Sequence, residues 1–196
     1  MYYYDIQQNT DEWFDIKRGK FSASTAADLL MSPSTKGYQN LINKIVFEHI
    51  TGETAESFKS DWMDRGNELE PEAIAQYEKQ TFNKVNRVGY VEMNDWVGCS
   101  PDGLISNNGL IQVKCPKWNT QIEYYFSSKV PSEYNKQCQF ELMVTDREYN
   151  ILYIYHPKLK PIIHHIERDE EIIKQILDKL NESVELVEQR IAKLTE

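Results

Sequence analysis

From Ile173 to Leu194 the apolar residues Ile173, Ile176, Leu180, Val184, Val187, Ile191 and Leu194 recur at spacings of three and four. That is the period of one helix face, so the chain is expected to end in a long amphipathic helix, with Asp169 as its N-cap. Shorter helices follow from the same test. Asp11 to Lys17 carries Trp13, Phe14 and Ile16, and Tyr38 to Ile50 carries Leu41, Ile45 and Val46, with His49 as a helix-end residue beside Gly52. Phe58 to Gln80 is mostly helical through Leu69, Ala73 and Tyr77, but Pro71 lacks an N–H and predicts a kink or a fresh start. Trp118 to Ser127 and Glu133 to Thr145 read as helices parted by Pro131, and Thr25 to Leu30 as a helix capped by Ser24.

Alternation marks the strands. Glu148 to Tyr155 and Pro161 to Glu167 are two of them, and His164 and His165, being adjacent, face opposite ways and suit one metal poorly. Val85 to Val91, then Trp96 to Cys99, lead into the stretch C-S-P-D-G-L-I-S-N-N-G-L-I-Q-V-K-C-P, residues 99–116. Ser100-Pro101-Asp102-Gly103 is turn chemistry, Leu104-Ile105 a brief strand, and Ser106-Asn107-Asn108-Gly109 a turn of residues that tolerate positive φ. Leu110 to Cys115 then alternates. Leu110, Gln112 and Lys114 share one face, while Ile111, Val113 and Cys115 take the core side. The hairpin can therefore bring Asp102 beside Gln112 and Lys114.

Composition narrows the class. The chain has 196 residues, 40% hydrophobic and 27% charged, which fits a single globular domain over 1–196. No apolar run reaches membrane-spanning length and the start lacks the pattern of a signal peptide, so a cytoplasmic protein is expected. Three cysteines without a Cys-x-x-Cys pair read as free thiols rather than disulfides or a zinc site. The net charge of −9 argues against a broad basic face for nucleic acid, though cations gathered in one groove remain compatible with it.

An aspartate, an oxygen-bearing side chain and a lysine converging on one point suit metal-dependent phosphodiester hydrolysis. A hard Mg²⁺ ion takes oxygen ligands, polarises the phosphoryl oxygen and lowers the pKa of a bound water. A lysine beside it orients or deprotonates that water and offsets charge growing on the phosphate.

The order P-D, about ten residues, then x-K on a strand resembles the PD-(D/E)xK nuclease superfamily. The longer strings S-P-D-G-L and G-L-I-Q-V-K-C-P resemble the phage lambda-type (YqaJ-like) alkaline exonucleases, and the likeness extends from about Trp13 to Asp169. It implies an α/β restriction-endonuclease-like core, a central mixed sheet flanked by helices. It also implies Mg²⁺-dependent degradation of linear double-stranded DNA from 5′ to 3′, with Mn²⁺ as a substitute. The 3′ overhang would serve a single-strand annealing protein, and the enzyme would be a homotrimeric ring in a bacterial cell. G-N-E-L-E-P-E-A resembles the family's G-x-x-x-E motif and carries its metal-binding glutamate to Glu70, leaving Glu68, Glu72 and Glu78 as a wet helix face.

On the resemblance, Asp102, Glu70, Gln112 and the carbonyl of Val113 surround metal, and Lys114 handles water. Y-x-x-Q-x-Q-F resembles the helix that closes the family's site, from which a glutamine would contact the lysine–water pair or DNA, with Gln137 as the first choice. K-R-G-K-F-S-A-S resembles the segment that holds the 5′-phosphate, which assigns Arg18 and Ser24, with Ser100, to that role; Ser22 is the alternative to Ser24. Trp62 and Met63 are read as core, with a DNA strand wedge as the second reading. One departure matters. The family carries glutamate where this chain has Gln112. Either a natural variant or a change made to trap a substrate complex would produce it, and both imply strongly reduced activity. The rival functions are a catalytically silent DNA-end-binding protein, a structure-specific endonuclease on the same core, and a structural interaction protein using the last helix.

Overall fold

A computed structural model describes residues 1–55 and 61–196, with the side chains of 61–64 outside the description. The longest helix, α7 (Glu170–Thr195), starts where expected: the Asp169 carboxylate accepts from the backbone N–H groups of Glu171 and Ile172. Its buried stripe of Ile173, Ile176, Leu180 and Val187 lies in one core with Tyr38, Leu41, Ile42 and Ile45 of α3 (Lys36–Thr51). Tyr38 Oη and Ser183 Oγ, 2.9 Å apart, satisfy each other inside that contact.

Among the described residues the strands form two sheets. The four-stranded one has the order β1 (Tyr2–Tyr4), β4 (Tyr90–Asn94), β5 (Val97–Cys99), β2 (Phe21–Ser22). The five-stranded one has the order β3 (Val85–Asn86), β6 (Gly103–Ile105), β7 (Gly109–Lys114), β8 (Tyr149–Ile154), β9 (Ile162–Glu167). The strand expected over Val85 to Val91 is thus two strands serving different sheets. The chain breaks at Gly89, where a Cβ would stand 2.1 Å from the carbonyl oxygen of Ile6, so only glycine admits that close approach. Tyr2–Tyr4, which the sequence reading left unassigned, pairs antiparallel with β4.

The predicted hairpin is present. Strand β7 pairs antiparallel with β6 and parallel with β8, and Ser106 in the turn has φ of 50°. Ile111 and Val113 face Ala73, Ile74 and Tyr77 of α4 (Asp61–Thr81). This helix runs through Pro71 unbroken, so no fresh start occurs there. On the opposite side lies α6 (Ser132–Thr145). It is buried continuously from Cys138 to Thr145, because Phe140, Met143 and Val144 pack toward β4 and β5 while Cys138 packs on Leu152 and Ile154 of β8. A helix wedged between two sheets has no wet face, and its sequence accordingly lacks the helical period. The expected Thr25–Leu30 helix is a 3₁₀ turn over Ala23–Thr25 followed by the short α2 (Ala26–Leu29). Ser24 sits inside the turn and caps nothing, and Thr25 Oγ1 instead donates to the carbonyl of Ser22. The remaining helices are α1 (Asp11–Lys17) and α5 (Trp118–Ser127).

Candidate active site

Asp102 stands one step beyond the Gly103–Ile111 pair, which puts it opposite Gln112. Its Oδ2 accepts from the backbone N–H of Val113 at 2.6 Å and from Gln112 Nε2 at 2.6 Å. Burial pushes the Asp102 carboxyl well above the usual carboxylate range, Glu70 pushes it further, and Lys114 and the Val113 N–H pull it back. Glu70, on α4, is ion-paired with Arg87. The structure therefore gathers Asp102, Gln112, the Val113 carbonyl and, at the rim, Glu70.

Lys114 points to the α6 side. Its Nζ donates to Gln137 Oε1 at 2.9 Å, while Gln137 Nε2 donates to Gln112 Oε1 at 2.9 Å and to Glu141 Oε1 at 3.1 Å. Asn150 Nδ2 donates to the other Glu141 oxygen at 2.8 Å. Burial raises the Glu141 carboxyl to about 7, against the pull of the Gln137 and Asn150 hydrogen bonds and of Lys114. Glu141 and Asn150 were missed by the sequence reading. The signal was a lone glutamate four residues after Gln137 among Phe140, Leu142, Met143 and Val144.

Two carboxylates, an amide and a main-chain carbonyl are oxygen donors of the kind a hard divalent cation takes. Asp102, Glu70 and Val113 fit such an ion, and a cation would relieve the mutual destabilisation of the two carboxylates. Gln112 fits less well. Its nitrogen faces Asp102, so Oε1 becomes a ligand only if the amide turns over and leaves Gln137. With glutamine at 112, no group of three His, Cys, Asp or Glu suited to a metal is found among the described residues.

A second site lies beside α1. Arg18, Ser22 and Ser24 line a pocket of about 390 Å³ together with Lys17, Lys20 and Lys44. Arg18 is held by Asp15 and donates to Thr54 Oγ1, and Ser22 Oγ and Ser24 Oγ are 3.2 Å apart. Glu48, buried under the pocket, accepts from the backbone N–H groups of Gly19 at 2.8 Å and Ala55 at 3.1 Å. Burial lowers the Lys17 ammonium to about 8, with Lys44 adding and Glu48 opposing. Ser100 is not part of the lining. It reaches the pocket through Trp13, whose Nε1 donates to Ser100 Oγ at 2.9 Å. Glu48 and Lys44 were not singled out in the sequence. Trp62 and Met63 lie outside the described side chains, and with them both the core and the wedge readings. Of the glutamates assigned to a wet face, Glu72 accepts from Tyr155 Oη at 2.6 Å and Glu78 Oε1 from the Val85 N–H at 2.8 Å.

A mixed sheet whose hairpin gathers Asp102, position 112 and Lys114, with helices on both faces, is the α/β core of the PD-(D/E)xK type. The model of the YqaJ-like viral recombinase domain matches residues 12–148, and the chain belongs to that family. Among solved structures it is similar to an alkaline exonuclease of Laribacter hongkongensis, with 34% identity, a TM-score of 0.88, and 95% of this chain and 96% of that one covered. The same exonuclease in complex with dAMP matches with 32% identity and a TM-score of 0.88 over 94% and 96% of the two chains. A phage-related exonuclease of Haemophilus somnus 129PT shares the fold at 15% identity and a TM-score of 0.70, over 92% of this chain and 99% of that one. No curated protein matches.

Proposed function

We propose that this chain is an exonuclease that degrades linear double-stranded DNA from 5′ to 3′ with Mg²⁺, weakened by glutamine at position 112. The observation that carries the reading is the convergence of Asp102, Gln112 and Lys114 from one hairpin, with Lys114 fixed by Gln137. Similarity to an exonuclease at 34% identity over nearly the whole chain supports it. The basic pocket around Arg18 supports the polarity, since it offers cations and hydroxyls to a terminal phosphate. The crystal complex of the relative with dAMP fits release of mononucleotides.

Asp102, Glu70 and the Val113 carbonyl would hold the ion. When bound, Mg²⁺ would polarise a phosphoryl oxygen and favour ionisation of a water. Lys114 orients that water and offsets charge on the phosphate. The water oxygen bonds to phosphorus, the bond to the 3′ oxygen breaks, and that oxygen takes a proton, leaving a new 5′-phosphate on the shortened strand. The 3′ overhang is then the substrate of a single-strand annealing protein. A homotrimeric ring would reconcile the −9 charge with DNA, by keeping acidic surface outside a basic channel.

The Gln112 Nε2–Asp102 bond favours a second reading, a silent protein that binds DNA ends. Digestion of 5′-phosphorylated linear duplex separates the two, comparing this chain with Gln112→Glu. The glutamate form should cut on the order of 100-fold faster, about 2.7 kcal/mol of barrier, and leave closed circles intact. If neither folded form cuts, the end-binding reading replaces the nuclease. Cutting of closed circles by the glutamate form would make it an endonuclease.

A further inference from the structure

Lys114 can orient a water in one place only if its own ammonium is held in one place. Its fixed partner is the oxygen of the Gln137 amide, at 2.9 Å. A carboxamide has two ends of equal size and opposite character, and turning it over would present N–H groups to the ammonium. Something must fix which end faces Lys114. The Gln112 oxygen is one acceptor, at 2.9 Å from Gln137 Nε2, and the Glu141 carboxylate is the other. It lies one helical turn from Gln137 on α6, and it accepts from Gln137 Nε2 at 3.1 Å. It is fully buried, and its second oxygen is taken by Asn150 Nδ2 at 2.8 Å, from β8. Asn150 is fully buried as well, and its Oδ1 has no hydrogen-bond partner among the described residues. Its amide thus gives up one acceptor to point its nitrogen at Glu141.

We propose that Glu141, seated by Asn150, is a positioning residue for the nuclease chemistry. It locks the Gln137 amide with its oxygen toward Lys114 and so sets where the ammonium stands. The chain Asn150–Glu141–Gln137–Lys114 runs from the sheet through α6 back to the catalytic strand. Its donors converge on Glu141 from both ends, because each amide donates toward the carboxylate. Glu141 is not itself a ligand of anything at the site, since both of its oxygens are occupied by amide N–H groups.

This inference rests on the nuclease reading for its effect on rate, and its geometry can be read without any cleavage. In the Gln112→Glu chain, Glu141→Met is expected to lower kcat about 10- to 100-fold with KM for the duplex unchanged. Glu141→Gln should stay within about threefold of its parent. Its oxygen still accepts from Gln137, and its N–H group finds the unpartnered Asn150 oxygen once that amide turns over. With Gln137→Met already present, adding Glu141→Met should cost no further activity, because Glu141 acts only through Gln137. In the present chain, the Gln137 side-chain NH₂ resonances, identified by their loss in Gln137→Met, should be protected from solvent exchange. Glu141→Gln should keep that protection. Full kcat in a folded Glu141→Met variant, equal losses for the Gln and Met variants, or additive losses with Gln137→Met would each overturn the proposal. So would unprotected Gln137 resonances. An inactive Gln112→Glu chain that keeps those resonances protected would instead count against the nuclease reading alone.

Discussion

At the scale of single residues, two buried acids divide the site between them. Asp102 faces the position where a cation would be held, and Glu141 stands behind Gln137, where it accepts from amides alone. The raised Glu141 carboxyl has a consequence for stability. In the unfolded chain it releases its proton near 4.5, in the folded chain near 7. Between those values the folded state holds more protons, so stability should fall as pH rises from about 4.5 to about 7. The loss is at most about 3 kcal/mol. Urea unfolding of this chain and of Glu141→Gln across that range checks it, and the glutamine variant should have the flatter profile. Parallel profiles would mean that Glu141 ionises normally when folded. The sequence showed Asp102, Gln112 and Lys114 because a hairpin has a strict period of two, which fixes the facing of every side chain once the turn is placed. Glu141 and Glu48 were illegible for the opposite reason. A glutamate on a helix is nearly always on its wet face, and only the packing of sheets on both sides of α6, or of residues 19 and 55 over Glu48, makes either an interior acceptor.

At the scale of elements, local chemistry decided most of the boundaries. Helix α1 spans the predicted residues, and α5 does too, because each has clear breakers beside it. The start of α7 is set by one carboxylate. Asp169 caps the N–H groups of Glu171 and Ile172, and its own N–H donates to Gln139 Oε1 at 2.9 Å, so the cap also joins α7 to α6. Asp169→Ala should cost about 1 kcal/mol of stability, measured as a lowered urea midpoint with an unchanged slope. A midpoint equal to that of the parent would show that the packed stripe alone sets the helix start. What local chemistry could not decide was membership of a sheet. Val85–Asn86 and Tyr90–Asn94 look like one strand interrupted by Gly89, and their separation depends on Ile6 arriving from another part of the chain.

At the scale of the whole molecule, α5 leaves Trp118 64% and Phe126 80% exposed, with Tyr125 43% exposed beside them. An apolar face of that kind on a chain of net charge −9 is covered in an assembly more readily than it is wetted. On the proposed ring, light scattering should return three times the chain mass of 23.1 kDa at working concentration. A monomer would remove the ring, and the acidic balance would then need another explanation. Among the described residues no helix is long and apolar enough to cross a membrane.

Strand β7 has a second consequence, which concerns where the molecule can yield. It is bonded to β6 along three residue pairs and to β8 along six, so the backbone that carries Lys114 is anchored in the middle of the five-stranded sheet. The basic pocket is lined from α1, α3, a 3₁₀ turn and the two-residue strand β2, whose ladder with β5 has only two residue pairs, so it has fewer sheet bonds to part. On the proposed function, the grip on a DNA end is compliant and the cutting edge is stiff. A strand can then creep forward through the grip, one nucleotide after another, while the atoms that break the bond keep their alignment.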